Sequence, residues 1–203
     1  MKKSALIIFV KNPIEGKAKT RLAKTIGNKK AMEVYRALLA KTKAETISLT
    51  CDKQVHYNDF INENDLWQHD VYSKQLQISA GLGEKMQHAF QQAFDSGYEQ
   101  VCIIGSDCYD ITQEILEEAF AALAQNDLVI GPSEDGGYYL LGMKKLIPEL
   151  FVNKAWSTES VAADTLKDAE NLNLQVHQLT TLNDVDVEAD LGNWADEIRM
   201  DKE

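Results

Sequence analysis

Short apolar runs alternate with segments of helical periodicity along this 203-residue chain, and that alternation is the strongest constraint on its fold. Residues 5–10 form a near-continuous β-prone run, which is typical of a strand covered on both faces. Residues 28–43 follow with apolar side chains at helical spacing on one face. Repeated alternation of this kind predicts an α/β sandwich built on a mostly parallel sheet.

The same reading divides most of the sequence into elements and gives one domain over residues 1–203, with no linker or repeat. A weak second strand is expected at residues 46–50. Residues 51–80 are polar, and one short strand is expected near residues 71–72. The remaining predicted strands are 101–105, 128–131, 138–142 and 175–179, and the remaining predicted helices are 84–96, 112–125, 158–170 and 191–200.

Charge is unevenly distributed along the chain. The net charge is −11, yet residues 1–43 hold 12 Lys and Arg against two acidic residues. The acidic total argues against a general nucleic-acid binder, which needs clustered basic charge. No apolar run approaches the roughly 18 residues of a membrane span. Three cysteines without metal-type spacing indicate a reduced, cytoplasmic protein.

The segment after the first strand, residues 11–22, carries the densest positive charge. Lys and Arg side chains there can neutralise phosphate oxygens, and glycine allows close backbone approach. The segment lacks the spacing of a Walker A loop, and its proline and glycine exclude a regular helix across it. The alternative is a solvated basic loop. The residues assigned to phosphate binding are Lys11, Pro13, Gly16, Lys17, Lys19 and Arg21.

Acidic residues follow the predicted strand 101–105. Asp107 lies directly beyond it, where a carboxylate can hold Mg²⁺ or Mn²⁺ together with substrate phosphates. Asp110 is equally suited to capping the next helix. Near the C-terminus, extended backbone would put Asp184 and Asp186 on the same side, as further metal ligands or as a solvated edge.

A glycine-rich hairpin spans residues 131–142. Its paired glycines permit a tight turn with positive φ, and two consecutive tyrosines must face opposite sides of the following strand. The hairpin is either an ordinary turn with surface acids or an acceptor or sugar site with an acid as general base. The residues assigned to this side are Glu134, Asp135 as candidate base, Gly136, Gly137, Tyr138 and Trp156.

Six segments carry a family resemblance. They are FVKNP at residues 9–13 with GKAKTRL at 16–22, GLGEKM at 81–86, GSDCYD at 105–110, GPSEDGGYYLLG at 131–142, WST at 156–158 and DVDV at 184–187. With them the chain resembles the small bacterial glycosyltransferase-like proteins linked to arsenosugar biosynthesis. It is also similar to the guanylyltransferases that build the deazaflavin cofactor F420. The resemblance implies a three-layer α/β/α, Rossmann-like GT-A fold of the nucleotide-diphospho-sugar transferases, with a mostly parallel mixed sheet.

The resemblance implies a metal-dependent glycosyltransferase that uses a nucleotide-sugar donor and a small-molecule acceptor. In it, Lys11, Lys19 and Arg21 would bind phosphates and Asp107 the metal. The alternative is a nucleotidyltransferase that releases pyrophosphate from a nucleoside triphosphate. A third possibility is a nucleotide-binding protein without activity. It is raised by Tyr109, which stands where the family usually has proline; Lys85 and Val187 likewise replace the usual Arg and Thr.

Overall fold

Strands and helices alternate along residues 3–192, the part of the chain that the computed structural model describes. The strands are β1 Ser4–Val10, β2 Asp52–Tyr57, β3 Tyr72–Leu76, β4 Gln100–Ile104, β5 Leu128–Pro132, β6 Tyr138–Met143 and β7 Val176–Gln178. The helices are α1 Thr20–Ile26, α2 Asn28–Thr46, α3 Leu82–Asp95, α4 Gln113–Ala122 and α5 Val161–Asn171. Short 3₁₀ turns lie at Pro148–Phe151 and Glu188–Asp190.

The strands form one sheet in the order β3-β2-β1-β4-β6-β5-β7. All neighbouring pairs are parallel except those of β6, which runs antiparallel to both β4 and β5. The prediction of a mostly parallel mixed sheet is therefore confirmed. Because β1 and β4 pair in parallel, the segments that follow them emerge side by side at one edge of the sheet.

Helices cover both faces of the sheet, which explains the unbroken apolar run of β1. Leu6 and Ile8 pack with side chains of α2 and α4 on one face. Ile7 packs with α3 on the other face. All three side chains are fully buried. Within residues 3–192, no helix is both long and apolar enough to cross a membrane.

The second strand was predicted in the wrong place. Residues 46–50 are not a strand, because α2 extends to Thr46 and the strand begins only at Asp52. The strand is difficult to recognise from its sequence, DKQVHY, because polar residues occupy buried positions. Lys53, for example, is 8% exposed and donates to the carbonyl of Leu49 over 2.6 Å.

Other predictions agree more closely. The short strand expected near residues 71–72 is β3, and Gly97 has the positive φ of +84° expected after α3. Thr112 caps α4 by accepting from the amide of Ile115. Helix α1 was not predicted; it begins directly after the turn-forming part of the basic segment. Residues 193–200 of the predicted terminal helix lie outside the described residues.

Candidate active site

A cleft of about 710 Å³ opens beyond the carboxyl ends of β1 and β4. In doubly wound sheets this edge is where ligands bind. Four parts of the chain border this cleft: the basic segment, the acid after β4, the hairpin and the C-terminal acids. The predicted site residues that line it are Lys11, Lys19, Arg21, Asp107, Asp135, Gly137, Tyr138, Trp156, Asp184 and Asp186.

Five other predicted site residues do not line this cleft: Pro13, Gly16, Lys17, Glu134 and Gly136. Lys17 is exposed directly before the buried Ala18. Gly16 has a φ of +78° in a turn that the Lys17 amide closes by donating to the carbonyl of Ile14 over 3.0 Å. It therefore shapes the basic segment rather than touching the cleft.

Lys19 is the most constrained cation of the segment. Its ammonium lies 2.7 Å from Asp107 Oδ1, 2.6 Å from the carbonyl oxygen of Val185 and 3.5 Å from Asp186 Oδ1. The side chain is only 4% exposed. Its backbone is left-handed, with φ 52° and ψ 43°, and leads the chain into α1. Lys19 thus joins three segments that are far apart in sequence.

Arg21 and Lys11 are more accessible than Lys19. The Arg21 side chain is 63% exposed and pairs with Asp186. Lys11 is exposed, but its backbone is fixed because the buried hydroxyl of Tyr35 accepts from the Lys11 amide over 2.8 Å and donates to its carbonyl over 2.9 Å. The same hydroxyl lies 3.4 Å from Ser106 Oγ, beside Asp107. Helix α2 therefore positions the exits of both β1 and β4.

Four carboxylates, those of Asp107, Asp135, Asp184 and Asp186, line the cleft together with the buried Lys19. Asp184 forms a β-bridge with Cys108, next to Asp107, and the Val185 amide donates to the Asp107 carbonyl over 2.9 Å. Burial first, and then the charges of Asp107, Asp135 and Asp186, raise the pKa of Asp184 to about 7 against the opposing charge of Lys19. The cluster holds more negative charge than Lys19 can balance.

The carboxylate oxygens of this cluster provide part of the ligand set that a hard divalent cation requires. Among residues 3–192, no group of three His, Cys, Asp or Glu side chains is placed to hold a metal ion by itself. Mg²⁺ commonly takes only one or two carboxylates and completes its octahedron with waters and substrate phosphates. Asp107 and Asp184 fit that pattern. Asp186 lies beside them but already pairs with Lys19 and Arg21.

The hairpin turn between β5 and β6 is held by its own residues. Asp135 Oδ1 accepts from the Ser133 hydroxyl over 2.6 Å and from the Gly137 amide over 2.9 Å. Gly136 has a φ of +85°, and a Cβ there would meet the Glu159 carbonyl oxygen at 2.0 Å. The positive φ predicted for this turn is confirmed. Asp135 also lines the cleft.

The two tyrosines after the turn face opposite sides of the sheet, as predicted. Tyr138 lines the cleft and its hydroxyl lies 3.8 Å from Met86 Sδ. Tyr139 is 3% exposed and donates to the Thr180 carbonyl over 3.0 Å. Trp156 packs against Gly83 at the start of α3, where an added Cβ would meet the indole at 2.4 Å. An aromatic wall therefore borders the cleft on the α3 side.

Several lining residues were not predicted, among them Tyr35, Asn58, Lys85 and Ser106. Tyr35 lies in the helical segment predicted at residues 28–43, where its spacing indicates only a core position. Asn58 directly follows β2, so correct placement of that strand would have indicated it. Its Oδ1 accepts from Lys85 Nζ over 2.7 Å, which joins the exit of β2 to α3.

Comparison with known proteins gives consistent matches. Residues 37–158 match the model of a family described as an uncharacterized protein conserved in bacteria, DUF2064. A crystal structure from Desulfovibrio desulfuricans G20, described as a "putative nucleotide-diphospho-sugar transferase", is 35% identical. The match covers 92% of this chain and 84% of that one, with a TM-score of 0.84. Among curated proteins, none matches.

More distant solved structures share the fold. The inositol-1-phosphate CTP transferase from T. maritima is 13% identical over 98% of this chain and 95% of its own, with a TM-score of 0.62. The 4-diphosphocytidyl-2C-methyl-D-erythritol synthase from Anaerococcus prevotii DSM 20548 is 12% identical over 98% and 96%, with a TM-score of 0.61. The nucleotide-diphospho-sugar transferase fold expected from the sequence is therefore confirmed.

Proposed function

We propose that this chain, which belongs to the DUF2064 family of bacterial proteins, is a metal-dependent glycosyltransferase with a nucleotide-diphospho-sugar donor. The observation that carries the proposal is the meeting of cations, carboxylates and the hairpin in one cleft at the carboxyl edge of the sheet. The 35% identical relative described as a nucleotide-diphospho-sugar transferase supports it. The free thiols of Cys51, Cys102 and Cys108 accord with a cytoplasmic location.

The donor phosphates would lie against the basic segment. Arg21 is exposed and carries a planar fork of donors that matches phosphate oxygens bidentately. Lys11 adds a second accessible charge beside the exit of β1. These contacts bind the donor and offset the negative charge that grows on the departing diphosphate. Tyr35 contributes indirectly by fixing the backbone that presents Lys11.

Asp107 and Asp184 would hold a divalent ion, Mg²⁺ or Mn²⁺, between protein and diphosphate. When bound, such an ion supplies Lewis-acid stabilisation to the leaving group. Asp186 can join them once Arg21 turns to the phosphates. Asp107 is 34% exposed, so its oxygens can be reached from the cleft.

The acceptor would enter from the hairpin side. Asp135 is held in place by Ser133 and Gly137, so its other oxygen can take a proton from an acceptor hydroxyl. Trp156 offers an apolar face near α3 against which a sugar ring can pack. Tyr138 lines the cleft beside Trp156 and α3, so the wall there is aromatic.

The second candidate is a nucleotidyltransferase that releases pyrophosphate from a nucleoside triphosphate. It is favoured by the four cations Lys11, Lys19, Arg21 and Lys85 at the cleft, which is ample charge for a triphosphate. Product analysis separates the two functions. Purified protein is incubated with Mn²⁺ and either nucleotide sugars or nucleoside triphosphates, and products are identified by mass spectrometry. Sugar transfer or hydrolysis is expected; pyrophosphate release from a triphosphate would establish the second candidate instead.

An Asp107→Asn variant tests the metal assignment. Loss of one ligand charge should lower kcat/KM by about 10²–10³-fold, similar to the loss of a group that stabilises transition-state charge. Asp110→Asn is the matched control, since Asp110 is exposed three residues further on and does not line the cleft. Equal activity of the two variants would remove Asp107 from the metal site.

A further inference from the structure

The ammonium of Lys19 lies where a metal ion would have to bind the carboxylates of the cleft. Its ammonium can donate three hydrogen bonds. Two are short, to Asp107 Oδ1 and the Val185 carbonyl, and Asp186 Oδ1 lies at 3.5 Å. The side chain is 4% exposed although the residue borders the cleft. In this arrangement the ammonium of Lys19 bonds to protein oxygens and not to a bound substrate.

A divalent ion on Asp107 and this ammonium compete for the same carboxylate. Mg²⁺ binds carboxylate oxygen at about 2.0–2.1 Å. An ion at that distance from Asp107 would lie within a few ångströms of Lys19 Nζ, which is itself 2.7 Å from the same side chain. Like charges so close repel strongly in a partly buried site. Lys19 must therefore move, or lose part of its stabilisation, before Asp107 can take a metal.

A phosphate supplies the acceptor that would draw Lys19 away. Lys19 lines the same cleft as Arg21 and Lys11, so a diphosphate bound there would come within reach of its ammonium. The backbone of Lys19 is left-handed, a conformation that costs a non-glycine residue free energy. The position of Lys19 therefore depends on the contacts of its side chain.

We infer that Lys19 is a resident cation that closes the carboxylate cluster to divalent ions until a phosphate group enters the cleft. Metal and nucleotide then bind together, and the free protein has little affinity for the metal alone. This inference rests on the proposed function, since it assumes that Asp107 is a metal ligand. By linkage, phosphate and metal must raise each other's affinity.

The test is Mn²⁺ binding to the free protein, measured by electron paramagnetic resonance without any substrate. Lys19→Met should bind Mn²⁺ about tenfold more tightly than wild type, or better, because the competing charge is gone. Lys24→Met is the matched control: it removes one exposed charge from the same helix and should bind like wild type. Lys19→Arg keeps the charge and should also bind weakly.

A second measurement uses the wild-type protein alone. By calorimetry, pyrophosphate should bind at least about tenfold more tightly with Mn²⁺ present than without it, as the coupling requires. This comparison stands even if Lys19→Met fails to fold.

The outcomes distinguish a failure of this inference from a failure of the proposed metal-dependent function. If wild type and Lys19→Met bind Mn²⁺ equally well, the inference is wrong while the metal site stands. Tight Mn²⁺ binding by Lys19→Arg also overturns it, because loosened packing and not lost charge would then be the cause. If neither Mn²⁺ nor manganese pyrophosphate binds to any variant, both the inference and the metal-dependent function fail.

Discussion

Two segments that border the cleft, residues 11–19 and the turn at residues 133–137, are held in different ways. In the turn, Asp135 bonds to residues two positions away on either side. In the basic segment, Lys19 reaches Val185, 166 positions away, and Lys11 is fixed by Tyr35, 24 positions away. The side-chain bonds of the turn are local, although its backbone also bonds to Leu182 and Ala162. The side-chain bonds of the basic segment reach distant parts of the chain.

This difference has consequences for stability and for binding. A locally closed turn keeps its shape whether or not a ligand is present. A segment fixed by charges of the site itself is coupled to whatever else those charges bind. Changes in the turn should therefore mainly alter stability, while changes in the basic segment should mainly alter nucleotide binding.

The largest stability effect is expected in the turn, from Gly136→Ala. A Cβ there combines a left-handed backbone with a 2.0 Å approach to the Glu159 carbonyl oxygen. The free energy of unfolding should fall by about 3 kcal/mol, measured by urea denaturation. Gly97→Ala is the control, because its φ is also positive but nothing lies within 4 Å of the added Cβ, so about 1 kcal/mol is expected. Equal losses would contradict the close approach at Gly136.

Opposite the basic segment, Asp184→Asn should stabilise the protein in a pH-dependent way. Burial raises the pKa of Asp184 to about 7, so the folded state binds its proton more tightly than the unfolded state. The wild type therefore loses stability as the pH rises from about 4 to about 7, and Asn at this position does not. The variant should be about 3 kcal/mol more stable at pH 8 and nearly equal at pH 4. A gain that is the same at both pH values would contradict this account of Asp184.

In the basic segment, Arg21→Ala should separate binding from stability. Its ion pair with Asp186 is exposed, so unfolding free energy should change by less than about 1 kcal/mol. Nucleotide-sugar binding should weaken by roughly 1.5–3 kcal/mol, because a charge-assisted phosphate contact is lost. Calorimetric titration measures this, with the exposed Lys24→Ala as control. Unchanged affinity would return the segment to a solvated basic loop.

The smallest effect is expected from Tyr35→Phe, which removes the hydroxyl that fixes Lys11. Unfolding free energy should fall by about 1 kcal/mol, and nucleotide affinity by a few fold. Tyr72→Phe is matched to it, since that buried hydroxyl bonds to Thr46 Oγ1 over 2.9 Å and does not line the cleft. Both variants should lose stability, but only Tyr35→Phe should lose affinity. If Tyr72→Phe weakens binding equally, Tyr35 has no special role in positioning the segment.

The same contrast explains how much the sequence could predict. The turn was predictable because glycine spacing and nearby acids fix it locally. Apolar periodicity likewise predicted α3, α4 and β4, and the family resemblance implied that Lys11 and Asp107 belong to one site, where both line the cleft. The pairing of Lys19 with Asp107 and Asp186 was not predictable, because it requires the register of a segment that folds back from the far end of the chain. Strand β2 was misplaced because its buried side chains are polar.

The most direct test of the account is a thermal-shift measurement with nucleotide sugars, with and without Mn²⁺. A site ligand at about 100 times its Kd adds roughly 2.7 kcal/mol to stability, or about 5–10 °C in Tm for a chain of this size. The account predicts such a rise with at least one nucleotide sugar when Mn²⁺ is present, and a smaller rise in Arg21→Ala. No rise with any nucleotide sugar, with or without Mn²⁺, would contradict it.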